Sequence, residues 1–342
     1  MEPTVHDRFA RRAFSDPDVM RGHLRAFLPS AIAGRLDLER IRREPDTLIG
    51  SQLSEKIPDL VFSAPVRGGG VALARFLFLH QSRPARDLAY DLFAGSARLL
   101  EAWRRNRPRE KSIPWVVPVV LYAGPRRFRA PRRLAALAGA VDEEDVALAV
   151  GPDLTYVLND LTRVRDGELR TRCGETAYQA LAHLLLKHAW DDDVLARLRE
   201  WGDLLVEVYR SPTGLGALRS VLSYVLGLEV RVTAEDVGQV LVHRLESHER
   251  ALAMTTIRSY ADELRAEGHA EGFAQGREQG RVQGLETGRR EEAAAMLLRL
   301  LDRRFDVPGA LADRIDAASL ADLDRWFDRA LDAERLEDVF VD

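Results

Sequence analysis

Two short apolar runs, residues 57–62 and 76–82, form the clearest pattern in the first half of the chain. Both have the length of a strand, and the connection between them contains the three glycines of residues 68–70. The pattern therefore predicts a hairpin-like pair of strands. Alternate residues of a strand share a face, which groups Asp59 with Val61. Because an acid is costly to bury unless a partner compensates its charge, Asp59 is the first candidate for chemistry.

Strand and helix patterns alternate over residues 5–165. A helical pattern extends from about residue 87 to Arg105, and strand-like runs follow at 115–122 and 154–161. The run at 115–122 is apolar on both faces, which is typical of a central strand, although Pro118 has no amide to donate. This alternation predicts an α/β layer fold.

The rest of the chain has a mainly helical pattern. We predict four segments, which are an α/β domain at 1–165, a helical bundle at 166–250, a glycine-repeat helix or linker at 251–290 and a C-terminal helical module at 291–342.

Glycine recurs at every fourth position in the third segment, at Gly268, Gly272, Gly276, Gly280, Gly284 and Gly288. The residues between them are mostly good helix formers. Each glycine in a helix costs about 1 kcal/mol relative to alanine, so six cost about 5–6 kcal/mol. Close approach of a partner helix would offset this cost, and we predict a homo-oligomer that forms through residues 251–290. A flexible linker is the alternative.

The composition indicates the general class of protein and says little about its activity. The net charge of −4 gives no overall basic bias toward nucleic acid. Cys173 is the only cysteine, which excludes an intrachain disulfide and favours an intracellular protein. Since no long apolar run or apolar signal core occurs, we expect a cytoplasmic protein that does not enter the membrane.

Several other kinds of chemistry find no support. The chain has no P-loop, dinucleotide fingerprint or nucleophile elbow. Its histidines lack the spacing of a zinc site, and we expect His23 to be a partly buried surface residue.

The order of the motifs resembles the recombination-promoting nuclease family, also described as YhgA-like transposases, of the PD-(D/E)XK nuclease superfamily. Members usually carry Asp on the first strand and Glu-His-Gln-Ser at the end of the second. Here Asp59 supplies the first acid and residues 80–82 match His-Gln-Ser, but Leu79 replaces the Glu. Residues 122–124 are similar to the Tyr-His-Gly of the family, and the glycine repeat also matches.

The resemblance implies a PD-(D/E)XK-like α/β fold, in which helices flank a mixed sheet. It also implies a DNA endonuclease that takes part in recombination and hydrolyses phosphodiester bonds with Mg²⁺. It assigns Asp59 and Gln81 to catalysis, and it assigns Asp59 and the backbone carbonyl of His80 to the metal. An apolar Leu79 cannot bind a metal, so we expect weak Mg²⁺ binding and impaired activity.

Three acids are candidates to compensate for the missing Glu, namely Asp7, Asp87 and Asp91. Each also has a structural explanation, because an acid in a first helical turn is often a cap or dipole partner and two acids four residues apart can simply face solvent. Two other functions therefore stay open. One is a catalytically inactive protein that binds DNA or self-assembles, and the other is an oligomeric scaffold unrelated to DNA.

Overall fold

A mixed sheet forms the centre of the first part of the chain. The computed structural model describes residues 4–45, 60–79, 86–137, 153–191, 193–228, 232–305 and 307–340. Among these residues five strands form one sheet in sequential order, namely β1 Arg42–Arg43, β2 Leu60–Pro65, β3 Val71–Leu79, β4 Trp115–Tyr122 and β5 Val157–Asp160. The pairs β1–β2 and β2–β3 are antiparallel, whereas β3–β4 and β4–β5 are parallel. The predicted α/β class is confirmed.

The predicted hairpin is the pair β2–β3. Leu60 pairs with Phe76 at one end and Pro65 with Val71 at the other. Between the strands, the glycines of residues 68–70 have φ angles of +97°, +114° and +91°. Glycine adopts this left-handed region readily because it has no Cβ, so these residues allow the tight connection.

The predicted central strand is β4, which has a neighbour on each side. Pro118 pairs with Arg75 of β3, while pairing with β5 begins at Val119. Pro118 thus lies one residue before β4 gains a partner on both sides, and such a boundary tolerates a residue without an amide better than the interior of a central strand does. The sequence pattern did not predict β1, since a strand of two residues depends on its pairing with β2 rather than on local preference.

Helices cover both faces of the sheet. The helices of this region are α1 Val5–Phe14, α2 Pro17–Phe27, α3 Ser30–Ala33 and α4 Leu88–Asn106. On one face, Trp103 of α4 packs with Val61 and Leu73. On the other face, Phe14 of α1 stacks on Phe76, with ring centroids 4.9 Å apart. The sheet is thus buried between two layers of helix.

The predicted helical bundle follows the sheet. Its helices are α5 Asp166–Arg172, α6 Ala177–Lys187, α7 Val194–Glu200, α8 Gly202–Arg210, α9 Gly214–Leu226 and α10 Ala234–Val242. The bundle joins the α/β region through α1, because Phe9 stacks on Tyr224 of α9 at 4.2 Å. None of the helices in the described residues is both long and apolar enough to span a bilayer.

The glycine repeat lies in the helix α11 Ser247–Arg304. The helices α12 Gly309–Asp316, α13 Leu320–Asp332 and α14 Leu336–Val339 follow it. Leu297 and Leu301 of α11 form a core with Leu323 and Trp326 of α13. The chain divides into two compact units at residues 1–262 and 263–342. The finer division into four segments stays a prediction.

The hairpin conformation leads to a stability prediction. In Gly69→Ala the new Cβ meets open space, but the φ of +114° is strained for alanine. We expect the free energy of unfolding to fall by about 1–3 kcal/mol, measured by urea denaturation. Gly167→Ala in α5 is the matched control, because its Cβ also meets open space and the backbone is helical. An equal loss in both variants would contradict the assignment of strain to the hairpin.

Candidate functional site

The carboxyl ends of the parallel strands form one edge of the sheet, which we call the carboxyl edge. Leu79 at the end of β3 pairs with Tyr122 at the end of β4, and Tyr122 pairs with Asp160 at the end of β5. Because β2 is antiparallel to β3, its first residue, Leu60, lies toward the same edge. Ligands of open α/β sheets commonly bind at this edge.

The predicted catalytic residues fall mainly outside the described part of the chain. Asp59, His80 and Gln81 lie outside the described residues, so their roles stay predictions. Leu79 is the last residue of β3, at the carboxyl edge. The position where the family usually has Glu therefore belongs to the edge at which a site is expected.

Asp87 and Asp91 lie at the start of α4, and both are exposed. The beginning of α4 packs near the carboxyl edge, where Leu88 lies in one cluster with Tyr122. The end of α4 packs farther back, where Trp103 contacts Leu73. Two carboxylates thus face solvent at the end of the sheet where β3 and β4 finish. The side chain of Asp87 makes no capping hydrogen bond to α4.

Asp7 has a structural partner. Its Oδ2 accepts hydrogen bonds from the backbone amide of Thr4 at 2.9 Å and from Thr4 Oγ1 at 2.7 Å. In return, Thr4 Oγ1 accepts from the Asp7 amide at 3.2 Å, which completes a capping box at the start of α1. These hydrogen bonds show that Asp7 caps α1. A role of Asp7 in metal binding stays a prediction.

The segment after β4 is held in place by hydrogen bonds from two aromatic side chains. Tyr122 is fully buried, and its hydroxyl donates to the carbonyl of Arg126 at 2.8 Å. Burial and, secondarily, the charge of Asp160 raise the pKa of Tyr122, so the hydroxyl keeps its proton at neutral pH. The next carbonyl, that of Ala123, accepts from Trp190 Nε1 at 2.9 Å. Residues 122–124, which resemble a family motif, therefore fix the chain at the carboxyl edge.

Asp160 is also used structurally. It is 8% exposed. Its Oδ2 accepts from the Phe128 amide at 3.2 Å, and its Oδ1 accepts from the Thr162 amide and hydroxyl at 3.0 and 2.6 Å. Asp87 and Asp91 thus differ from Asp160, because their carboxylates are exposed to solvent.

The donor atoms at the carboxyl edge suit a hard cation. Mg²⁺ prefers oxygen ligands and is usually held through one or two carboxylates together with substrate phosphate. Asp87 and Asp91 supply such oxygens in the described residues. No group of three or more His, Cys, Asp or Glu side chains that could hold a metal occurs within those same residues, so a complete ligand set needs residues beyond them.

Comparison with known proteins agrees with these features. The family described as "Putative transposase, YhgA-like" matches residues 4–215. The chain belongs to this family. The match includes the sheet, the start of α4 and the first helices of the bundle, and the predicted family resemblance is confirmed.

Two relatives of this YhgA-like chain come from Escherichia coli strain K12. The chain is 24% identical over 302 residues to the "Inactive recombination-promoting nuclease-like protein RpnE". The matched stretch covers 88% of this chain and 91% of that protein. It is 23% identical over 265 residues to the "Recombination-promoting nuclease RpnA", and this stretch covers 78% of this chain and 85% of that protein. No solved structure gives a significant match.

A buried hydrogen-bond chain inside the YhgA-like region was not predicted. His23 was expected at a partly exposed surface, and this was wrong, since His23 and His183 are both 0% exposed. His23 Nδ1 lies 2.9 Å from His183 Nε2, and His23 Nε2 lies 2.9 Å from Asn159 Nδ2. His183 Nδ1 lies 2.7 Å from the carbonyl of Gln179. We call these four residues the histidine network.

The network fixes the protons of both rings. The Asn159 amide nitrogen can only donate and the Gln179 carbonyl can only accept. His23 Nε2 must therefore be an acceptor, and both rings carry their proton on Nδ1. Burial lowers the pKa of His183 to about 4. Burial, and secondarily the charge of His183, holds the pKa of His23 well below its usual value.

The histidine network makes stability depend on pH. An unfolded chain binds a proton at each histidine near pH 6.5, whereas the folded chain keeps His183 neutral until about pH 4. The stability that the two neutral rings contribute is therefore fully present above pH 6.5, and this contribution is lost as the pH falls toward 4. The expected slope is up to about 1.4 kcal/mol per pH unit for each histidine. Urea denaturation between pH 7.5 and 5.5 measures it, in a range where few carboxylates titrate.

Two variants isolate the buried pair. His183→Gln should lower the slope, because one proton fewer binds on unfolding. His248→Gln is the control for the exchange itself, because the His248 side chain is 78% exposed and lies outside the network. A native slope near zero across this range would contradict the neutral state of the network.

Proposed function

We propose that this protein is a DNA-binding member of the recombination-promoting nucleases whose Mg²⁺-dependent hydrolysis of phosphodiester bonds is impaired at Leu79. The observation that carries the proposal is the meeting of β3, β4 and the start of α4 at the carboxyl edge, with two exposed carboxylates there. The relative named as a recombination-promoting nuclease supports the nuclease reading. The relative named as inactive supports impairment.

In this proposal, metal binding and the orientation of the reacting groups fall to different residues, as in the PD-(D/E)XK pattern. Asp59 and the backbone carbonyl of His80 would hold Mg²⁺, with Asp87 or Asp91 as the second acid. The cation, when bound, would activate water and stabilise the leaving oxygen. Gln81 would hydrogen-bond the water or the phosphate and so orient the reacting groups. Leu79 contributes no charge and no ligand, so the second carboxylate would come from the start of α4 and not from the end of β3.

A catalytically inactive DNA-binding protein is the second candidate function. Leu79 is the observation that favours it, because a leucine side chain can neither bind the cation nor accept a proton. The two candidates share DNA as the partner and differ in whether Asp87 or Asp91 replaces the missing acid.

Plasmid cleavage with Mg²⁺ or Mn²⁺ tests the role of Leu79. We expect the native chain to cleave weakly or not at all. Leu79→Glu should raise cleavage about tenfold or more, because it restores a metal ligand. Leu79→Gln is the matched control, similar in size but uncharged, and should not raise it. Adding Asp59→Ala to Leu79→Glu should abolish the gain.

The same assay separates the candidate acids. If the native chain cleaves, Asp87→Asn or Asp91→Asn should remove that activity, since the replacement acid is then lost. Cleavage by native protein that survives Asp59→Ala as well as both of these substitutions would exclude the proposed centre. Activity confined to Leu79→Glu would favour the inactive candidate.

We infer that residues 251–290 join two copies of the chain. A Cβ added at any of the six repeat glycines would meet open space in the single chain, so no contact there offsets the cost of about 5–6 kcal/mol. Phe273 and Leu285 are 70% and 53% exposed on the same helix. A second copy of α11 would cover these side chains and approach the glycines closely.

Alanine substitution in the repeat tests self-association. Gly276→Ala with Gly280→Ala should stabilise the helix of a lone chain by about 1 kcal/mol for each residue. In a dimer the added methyl groups should instead weaken association. We expect light scattering to show more monomer than for the native chain. Gln275→Ala with Gln279→Ala is the control, because it changes neighbouring exposed positions and leaves every glycine in place. An unchanged mass in the glycine variant would contradict the inference.

A further inference from the structure

An arginine-rich segment follows β4 directly at the carboxyl edge. We call residues 125–133 the arginine loop. Five of its nine residues are arginines, and all five are exposed, namely Arg126, Arg127, Arg129, Arg132 and Arg133. No acid occurs between Ala123 and Leu137. The loop therefore concentrates positive charge on a protein whose net charge is −4.

The ring of Phe128 anchors the centre of the arginine loop. It packs edge-on against Tyr122 with ring centroids 5.1 Å apart, and against Tyr156 at 6.4 Å. The Phe128 amide donates to Asp160 Oδ2 at 3.2 Å. Both the side chain and the backbone at this residue are thus attached to the ends of β4 and β5.

Hydrogen bonds fix the loop on either side of Phe128. The Tyr122 hydroxyl donates to the Arg126 carbonyl at 2.8 Å, and the Tyr156 hydroxyl donates to the Pro131 carbonyl at 3.0 Å. Burial raises the pKa of Tyr156 to about 12, so this donor is retained at neutral pH. Although the loop has no regular secondary structure along most of its length, its backbone is held in one position.

The five arginines differ in their partners. Arg133 forms an ion pair with Asp153, with Nε to Oδ2 at 3.1 Å. Arg132 lies 3.5 Å from the carbonyl of Tyr156. Within the described part of the chain, the side chains of Arg126, Arg127 and Arg129 form no ion pair or hydrogen bond. Three guanidinium groups are therefore free to bind an anion.

We propose that Arg126, Arg127 and Arg129 bind phosphates of the DNA backbone beside the candidate site. The inference rests on the proposed function, which makes DNA the substrate. Guanidinium groups bind phosphate through paired hydrogen bonds, and phosphate contacts fix the position and register of a protein on a duplex. Because the loop is already anchored, little backbone entropy is lost on binding.

A second basic segment lies at the opposite edge of the sheet and serves as a control. Arg104 and Arg105 are exposed in the last turn of α4, and Arg109 is exposed between α4 and the start of β4. The amino end of β4 is the edge away from Leu79. These three arginines carry the same charge as the three in the loop but are placed away from the carboxyl edge.

The test measures binding of a fluorescent DNA duplex by anisotropy, with EDTA present to prevent cleavage, over a range of salt concentrations. Two triple variants of the full chain are compared, Arg126→Gln/Arg127→Gln/Arg129→Gln and Arg104→Gln/Arg105→Gln/Arg109→Gln. We expect the loop variant to lose about tenfold or more in affinity at moderate salt. The slope of log K against log salt should fall by about 2–3, since each phosphate contact contributes about 0.9. The control variant should change far less.

The outcomes separate this inference from the proposed function. If native protein binds DNA and the two triple variants lose affinity equally, the loop is not the phosphate site, while DNA binding stands. If native protein does not bind DNA even at low salt, the inference and the DNA partner of the proposed function both fail. Circular dichroism monitors folding. If the loop variant is misfolded, Arg127→Gln and Arg105→Gln give the same comparison with one charge each, and equal losses again overturn the inference.

Discussion

The parallel pairing of β3 with β4 is the constraint on which the rest of this structure depends. It extends from Ala72 opposite Trp115 to Leu79 opposite Tyr122, so both strands end at the same edge. Since β2 is antiparallel to β3, its first residue, Leu60, lies toward that edge as well. The helix α4 must return across the sheet between β3 and β4, as any parallel connection must, and so it begins at the carboxyl edge. The pairing of β3 with β4 thereby places the acids of α4, the aromatic anchors and the arginine loop at the carboxyl edge.

Local sequence patterns predicted those parts of the fold that local chemistry determines. The three glycines of residues 68–70 adopt left-handed φ angles, and the run at 115–122 lies between two strands. His23 shows the limit of this reasoning. Its partner Asn159 is 136 residues away, so nothing near His23 in the sequence indicates that its polar ring is satisfied inside the core. Similarly, the strand of Arg42–Arg43 is formed by its neighbour and not by its own preference.

The candidate site was less accessible to sequence reasoning than the fold. Overall charge gave no indication of the proposed nucleic-acid partner, because net charge averages over the whole chain and local fields depend on where charges meet. The arginines at residues 126–133 indicate a basic surface only once the structure shows that they follow β4 and that Phe128 holds them there. The alternation of arginine with an aromatic residue and prolines was the available signal. Its value depended on tertiary contacts with Tyr156 and Asp160.

The proposed loss of catalysis and the proposed retention of DNA binding are physically separable in this chain. Metal binding requires carboxylates to converge on one point, so under this proposal a leucine at residue 79 leaves the centre without a ligand that few other positions can supply. Phosphate binding requires only positive groups along a surface, and it declines gradually as contacts are lost. The anchors of the arginine loop come from β4, β5 and Tyr156 and do not involve a ligand of the predicted metal centre. A substitution at the end of β3 can therefore weaken hydrolysis while leaving the basic surface in place, which would allow such a protein to persist as a DNA-binding one.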